Sequence, residues 1–322
     1  MRTEGKEISI IGAAILDVLA GPVREELFWQ GTQPMEFITL SFGGDAQNEA
    51  AALAKMGKRV ELISKVGDDK AGTRVLEYLK DHGIQTGSVR VEPGLETGIN
   101  IVLIDKTGER HFLTNPKGSL RTLTEKDVEP YLDAAADIVS FASMFVSSLL
   151  DIPAMERIFR RIKSRTGRIL LADLTTPKQG ERLVDLNHLL PYIDYLLPNE
   201  TEIEKLTGES DPDRNAERMI QSGVSCAVIK RGKNGCLIRT KQERYLIPAY
   251  PIAHPVDTTG AGDCFAAGFL WALSQDMPLQ ECGRFACAAA SCSVECAGAV
   301  EGIHSLEEPM RRYRWLCECQ SK

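Results

Sequence analysis

Between Val256 and Phe269 the chain reads VDTTGAGDCFAAGF. Gly260, Ala261 and Gly262 precede a lone carboxylate, Asp263, at the head of a small-residue run that continues as FAAGFLWAL. Glycine lets backbone N–H groups crowd together without interference from Cβ atoms. A helix that starts there aims its first unpaired N–H groups, and the positive end of its dipole, outward. That geometry binds phosphates and can hold the charge that develops on a migrating phosphoryl group. An acid beside it is placed to take the proton from an attacking alcohol, and the dipole favours its ionised form. A plain helix cap accounts for Gly-Ala-Gly-Asp equally well on its own. The polar Asp257-Thr258-Thr259 in front favours a loop held for binding.

Other glycine-loop chemistries fail on spacing. A dinucleotide fingerprint, GxGxxG, would need a third glycine where Phe265 stands, and no GxxxxGK[ST] occurs. No HRD or DFG set supports a protein kinase.

Three more stretches carry candidate chemistry. In SFGGDAQNEAAALAKMG (41–57), Gly43 and Gly44 allow close approach of a ligand, and Asn48 offers both donor and acceptor; a glycine turn into a helix explains them as well. In LPNETEIEKLTG (197–208), Asn199 and Glu202 have capping-box spacing, and they also stand where a strand ends and ligands of open α/β sheets bind. Lys230-Arg231-Gly232-Lys233-Asn234-Gly235 is a turn between strands, suited to wrapping a nucleotide phosphate or to being a simple basic hairpin.

The elements that must position these residues alternate. EISIIGAAILD (7–17) reads as a buried strand ending at Asp17. Helix, strand and helix follow over 48–57, 59–67 and 71–83. The pattern resumes with DIVSFAS, MERIFRRIKSRTG, RILLADL, and strand–helix pairs over 192–232. Such alternation predicts a mostly parallel sheet with helices on both faces. Residues 18–42 and 97–115 lack helices, and the second reads as a hairpin around Lys106-Thr107-Gly108. They predict a small β-sheet over the main one, a lid able to exclude water, within one domain spanning 1–322. PLQECGRFACAAASCSVECAGAV (278–300) predicts a long small-residue helix followed by a glycine turn, and SLEEPMRRYRWLCECQ a final amphipathic helix.

The 322 residues carry 38 Lys and Arg against 45 Asp and Glu, a formal charge of -7. That balance argues against a nucleic-acid partner. No apolar run reaches the ~20 residues of a membrane span, and the N-terminus does not read as a secretory signal. Nine cysteines without paired CxxC knuckles read as reduced thiols, which predicts a cytoplasmic protein. Cys264 reads as an inert buried thiol, Cys287, Cys292 and Cys296 as helix packing, and the five histidines as surface or loop residues.

Taken together, the four glycine-bearing stretches resemble the ribokinase-like (PfkB) carbohydrate kinases, in order and spacing, from roughly residue 6 to 310. The resemblance implies a three-layer sandwich with a β-sheet lid and an ATP-dependent kinase acting on a hydroxyl of a small carbohydrate such as ribose or fructose. It implies Asp263 as catalytic base, with Gly260, Ala261 and Gly262 as its anion hole. Asp17, Gly43, Gly44 and Asn48 would hold sugar hydroxyls, with Asn100, Arg110 and Lys117 of the lid and residues 140–145 as specificity candidates. Asn199 and Glu202 would position Mg2+ and phosphates, Glu202 largely through water, and Lys230, Gly232 and Gly235 would hold the nucleotide. Some members bind a monovalent cation, K+, through carbonyls that would fall around Asp257, Thr259 and Gly298–Gly302. A homodimer through the lid is the expected assembly. A nucleoside kinase of the same family is the alternative within the class; a sugar-binding protein that has lost catalysis is the alternative outside it.

Overall fold

The computed structural model describes residues 6–29, 31–106 and 109–319. The strands are β1 (Ile8–Ile11), β2 (Ile15–Val23), β3 (Phe37–Gly43), β4 (Val60–Gly67), β5 (Val89–Glu92), β6 (Ile99–Asp105), β7 (Arg110–Thr114), β8 (Ile138–Met144), β9 (Ile169–Leu174), β10 (Tyr195–Leu197), β11 (Cys226–Lys230), β12 (Cys236–Arg239) and β13 (Arg244–Ile247). The helices are α1 (Asp45–Lys55), α2 (Lys70–Asp81), α3 (Ser119–Thr122), α4 (Glu125–Val128), α5 (Ile152–Lys163), α6 (Glu200–Thr207), α7 (Pro212–Gln221), α8 (Ala261–Ser274), α9 (Leu279–Ser293) and α10 (Glu307–Cys319).

Nine strands form one sheet in the order β13–β12–β11–β10–β9–β8–β1–β4–β5. From β11 to β5 all neighbours are parallel; β12 and β13 close one edge as an antiparallel meander. The continuous apolar strands this requires are there: β1 is buried along its whole length, as sheets covered on both faces demand. Two hydrophobic layers flank the sheet. One is built on α1, α2, α8 and α9, the other on α5 and α7. This is the doubly covered α/β sandwich that the strand–helix alternation predicts.

A four-stranded sheet, β3–β2–β6–β7, stands apart. β2 runs antiparallel to β3 but parallel to β6, and β6 and β7 form a hairpin. The turn expected at Thr107-Gly108 lies outside the described residues. Two expectations need correction. EISIIGAAILD is not one strand: β1 ends at Ile11 in the main sheet, and β2 begins at Ile15 in the small one. Asp17 therefore belongs to the small sheet. An unbroken apolar run has no period to mark where one buried strand hands over to another. The helix expected over 278–300 stops at Ser293, and the glycine turn expected behind it already occupies 294–300, where it packs against the start of α8.

The register of the small sheet sorts its residues onto two faces. Ser41, Asp17, Asn100 and Thr114 are paired across all four strands, and Thr39, Leu19, Val102 and Phe112 follow on the same face. Leu40, Val18, Ile101 and Leu113 form the opposite face, with Ile38 one pair further along.

Candidate active site

Loops at the carboxyl ends of β1, β8, β9, β10 and β11 meet the N-termini of α1, α6 and α8, where ligands of open parallel sheets bind. Two adjoining cavities occupy this edge. One, about 700 Å³, is lined by Asn199, Glu202, Lys230, Gly232, Gly235, Ala261 and Gly262. The other, about 330 Å³, is lined by Asp17, Gly44, Asn48, Asn100, Gly260 and Arg121. Asp45, Ser143, Thr175 and Asp263 line both, so Asp263 stands where the two chambers join.

Asp263 lies in the first turn of α8, whose N-cap is Gly260 at φ 70°. A Cβ on Gly260 would come 2.3 Å from the carbonyl oxygen of Ala299, so the 294–300 turn fixes where the helix begins. Asn48 Nδ2 donates to Asp263 Oδ2 at 2.7 Å, linking α1 to α8 across the cavity floor. Burial, and then the neighbouring Asp45, push the Asp263 carboxyl well above the usual carboxylate range, against the opposing pull of Asn48. This shift runs against the helix dipole, which favours the ionised form. A dipole is worth roughly 0.3–1 kcal/mol at a helix end, and enclosure among other acids outweighs it.

On the smaller chamber's side, Asn100 Nδ2 donates to Asp17 Oδ1 at 3.0 Å. Burial raises the Asp17 pKa to about 6, with Asn100 and Arg110 holding it lower than burial alone would. Gly43 does not line the chamber; its place is behind Asp17, where a Cβ would sit 2.2 Å from Asp17 Oδ2. Lys117 is exposed and lines neither chamber. Arg110 pairs with Asp257, whose carboxylate also accepts the N–H of Thr259 at 2.9 Å and of Gly298 at 2.9 Å. One carboxylate thus ties the small sheet to both turns that shape the start of α8.

On the larger chamber's side, Asn199 and Glu202 form a reciprocal capping box: Glu202 N–H donates to Asn199 Oδ1 at 2.9 Å and Asn199 N–H to Glu202 Oε2 at 2.7 Å. The capping role is therefore real, and both residues still face the cavity. Lys230 Nζ donates to both oxygens of Asp173, at 2.7 and 2.5 Å. Burial opposes the ammonium's charge, but Asp173 and Glu202 keep it protonated. Burial lifts Asp173 to about 7 despite that partner. A Cβ on Gly262 would lie 3.6 Å from Lys230 Nζ, so this ammonium borders the free N–H groups of α8.

Asp45, Asp173 and Thr175 are candidate site residues to which the sequence reading gave no role, whereas Ser143 falls within the 140–145 stretch it offered as a specificity candidate. Asp45 directly follows Gly43-Gly44, a signal within reach; Asp173 and Ser143 sit at strand ends with no local mark. Asp45 accepts the Ser143 hydroxyl, joining α1 to β8. Cys264 is fully buried, and burial pushes its thiol up, as an inert packing role requires. All nine cysteines are free thiols.

Comparison with known proteins points the same way. Residues 6–306 match the pfkB family carbohydrate kinase. An uncharacterized sugar kinase of Archaeoglobus fulgidus is 31% identical over 252 residues, 78% of this chain and 97% of its own. A ribokinase of Thermotoga maritima superposes with a TM-score of 0.82 at 27% identity, covering 96% of this chain and 99% of that one. An Arabidopsis thaliana ribokinase solved with ribose and ATP shares the fold, with a TM-score of 0.81 at 24% identity over 97% of this chain and 99% of that one.

Proposed function

The chain belongs to the pfkB family of carbohydrate kinases, and from that premise we propose how its own residues carry out the transfer. It is an ATP-dependent sugar kinase that moves the γ-phosphoryl of ATP to a hydroxyl of a small carbohydrate, with Mg2+ accompanying the nucleotide as in a solved relative. ATP takes the chamber lined by Asn199, Glu202, Lys230, Gly232 and Gly235; the sugar takes the chamber under the small sheet. The observation that carries this assignment is the position of Asp263, the one strongly perturbed carboxylate on both chambers, beside the first N–H groups of α8.

Asp263 accepts the proton of the attacking hydroxyl while the N–H groups of Gly260, Ala261 and Gly262 hold charge on the migrating phosphoryl. Asn48 aims the carboxylate through its 2.7 Å hydrogen bond. Asp17, with Asn100 behind it, holds a sugar hydroxyl, and Gly43 and Gly44 leave room for that contact. Glu202 is the acid we assign to the divalent cation: burial raises its carboxyl and Asp45 adds to this, and a cation nearby would relieve both. Mg2+ when bound would neutralise phosphate charge there, with Glu202 reaching it through water.

The small sheet is the lid of a single domain, and Arg110 on Asp257 is its closed contact. We assign the homodimer to the lid's other face, where Ile38 (71% exposed), Leu40 (66%), Leu113 (55%) and Ile101 (42%) leave an apolar surface uncovered. A monovalent cation such as K+ belongs at the carbonyls around Asp257, Thr259 and Gly298–Gly302; since Arg110 already balances Asp257, it would act on loop geometry, read by activity in KCl against choline chloride. Among the described residues no helix is long and apolar enough to cross a membrane. Free thiols and a charge of -7 support the cytoplasm and partners other than nucleic acid.

A coupled ADP-release assay with ribose, fructose, sugar acids and adenosine tests the reading. Release that requires both a sugar and Mg2+ is expected. Tight sugar binding with no ADP release would favour a chain that has lost catalysis.

A further inference from the structure

Resting on the sugar-kinase reading, we infer that the acceptor is an anionic sugar, one bearing a carboxylate or phosphate distal to the reacting hydroxyl, and that Arg121 and Lys178 bind this group. Both side chains line the sugar chamber, and neither lines the nucleotide chamber. Together with Ser147 they also line an adjoining chamber of about 290 Å³, so the cations stand where the sugar site continues away from Asp263.

Neither cation has an acid of its own. Among the described residues no carboxylate lies within 4.0 Å of either. Three acids that line these chambers with them are engaged elsewhere: Asp45 with the Ser143 hydroxyl, Asp151 with the N–H of Ala154, and Glu181 with the N–H of Gln179. Burial and then the adjacent Arg121 work against the charge of Lys178, with Asp45 and Glu181 only partly offsetting this. Lys178 is exposed at the chamber's edge, so water screens part of this repulsion, and an anion between the two cations would relieve the rest.

Arg121 is held in place for such a ligand. Its Nη1 donates to the carbonyl of Val146 at 2.9 Å, and the Ser147 hydroxyl donates to the carbonyls of Arg121 and Leu123 at 2.9 and 2.8 Å. The loop that supplies these partners turns at Phe145, whose φ of 71° is unusual for a bulky residue and marks a shape imposed on the chain. The guanidinium keeps its remaining N–H groups for the cavity, the fork that pairs with carboxylate or phosphate oxygens. A neutral sugar would offer neither cation a counter-charge, which is how a site built for a charged substrate disfavours an uncharged one.

The test compares kcat/KM by ADP release for 2-keto-3-deoxygluconate and gluconate (carboxylates), fructose 6-phosphate (phosphate), and ribose, fructose and 2-deoxyribose (neutral). An anionic sugar is expected to exceed every neutral one by about 100-fold or more, and Lys178→Met to shrink that ratio at least about tenfold, mainly through KM. The better of the carboxylate and phosphate arms identifies the group. Preference for a neutral sugar, or an unchanged ratio in Lys178→Met, overturns the inference while leaving the kinase intact. If no sugar is turned over, calorimetric titration of the Asp263→Asn protein decides: tighter binding of an anionic sugar than of ribose supports the inference although the kinase reading fails, and equal or weaker binding overturns it.

Discussion

Two glycines of one motif should fail in different ways when replaced by alanine. Gly260 holds φ at 70°, a conformation that costs an L-residue roughly 1–2 kcal/mol. Its Cβ would meet Ala299 at 2.3 Å from the carbonyl oxygen and 2.6 Å from both Cα and Cβ. Relieving that overlap requires a shift of about 1 Å, and overpacking of this kind costs about 1–3 kcal/mol. The sum, about 2–5 kcal/mol, is a large part of a typical stability of about 5–15 kcal/mol yet not all of it. The variant should fold with a lowered Tm. The same shift moves the N–H groups and Asp263, and a 1 Å misplacement of reacting groups costs on the order of 100-fold in turnover.

Gly262 meets different surroundings. The nearest heavy atom to its Cβ is Lys230 Nζ at 3.6 Å, an ordinary contact. Alanine in place of glycine inside a helix gains up to about 1 kcal/mol, so Gly262→Ala should keep or raise Tm. Its methyl group protrudes toward Lys230, where the proposed site puts the phosphates, and KM for ATP should rise about tenfold with a smaller effect on kcat. Scanning calorimetry and steady-state kinetics on both variants separate the cases. Gly260→Ala with wild-type kcat, or equal Tm losses in the two variants, would refute the argument that the Ala299 turn sets the position of the anion hole.

Asp263→Asn should lower kcat by about 10²–10⁴-fold, the usual worth of a general base, while raising Tm. The sign follows from linkage: an acid whose folded pKa is raised contributes stability below its unfolded value, near 3.9, and loses it as pH climbs to the folded value. The Tm advantage of the variant should therefore grow between pH 4 and neutrality, and an advantage that shrinks over that range contradicts the assignment. For the same reason the acid limb of the wild-type pH–rate profile should lie above the range of an exposed carboxylate. Asp17→Ala should weaken the sugar more than ATP, by about tenfold or more in calorimetric titrations; the reverse order would move Asp17 to the nucleotide. Arg110→Ala should release the small sheet from Asp257, lowering kcat and raising the sugar KM together, as changes to closing elements do. It should also raise sugar-independent ATP hydrolysis, which a merely structural contact would leave alone.

What the sequence discloses, and what it withholds, divides along a physical line. Features encoded within a few residues were legible: the glycine entry to α8, the Asn199–Glu202 spacing and the turn from Lys230 to Gly235 each depend on local backbone geometry. The alternation of strands and helices likewise carries the sandwich, because burial of both sheet faces imposes its own composition. Asp173, Ser143 and Thr175 have no such local mark. They become site residues because β8 and β9 are neighbours in the sheet and end at the same edge as β11, a fact of topology and not of spacing. Arg121 and Lys178 are further removed still, brought together by α3, which follows β7, and by the loop that leaves β9. Protonation is the least legible property. The dipole at Asp263 can be read from the start of a helix, whereas the burial that opposes it, and the repulsion from Asp45 and Asp173 that adds to it, come from the packing of other elements. The proton affinity on which the chemistry turns is thus tuned by the assembled fold, in the direction opposite to the dipole that the motif alone reveals.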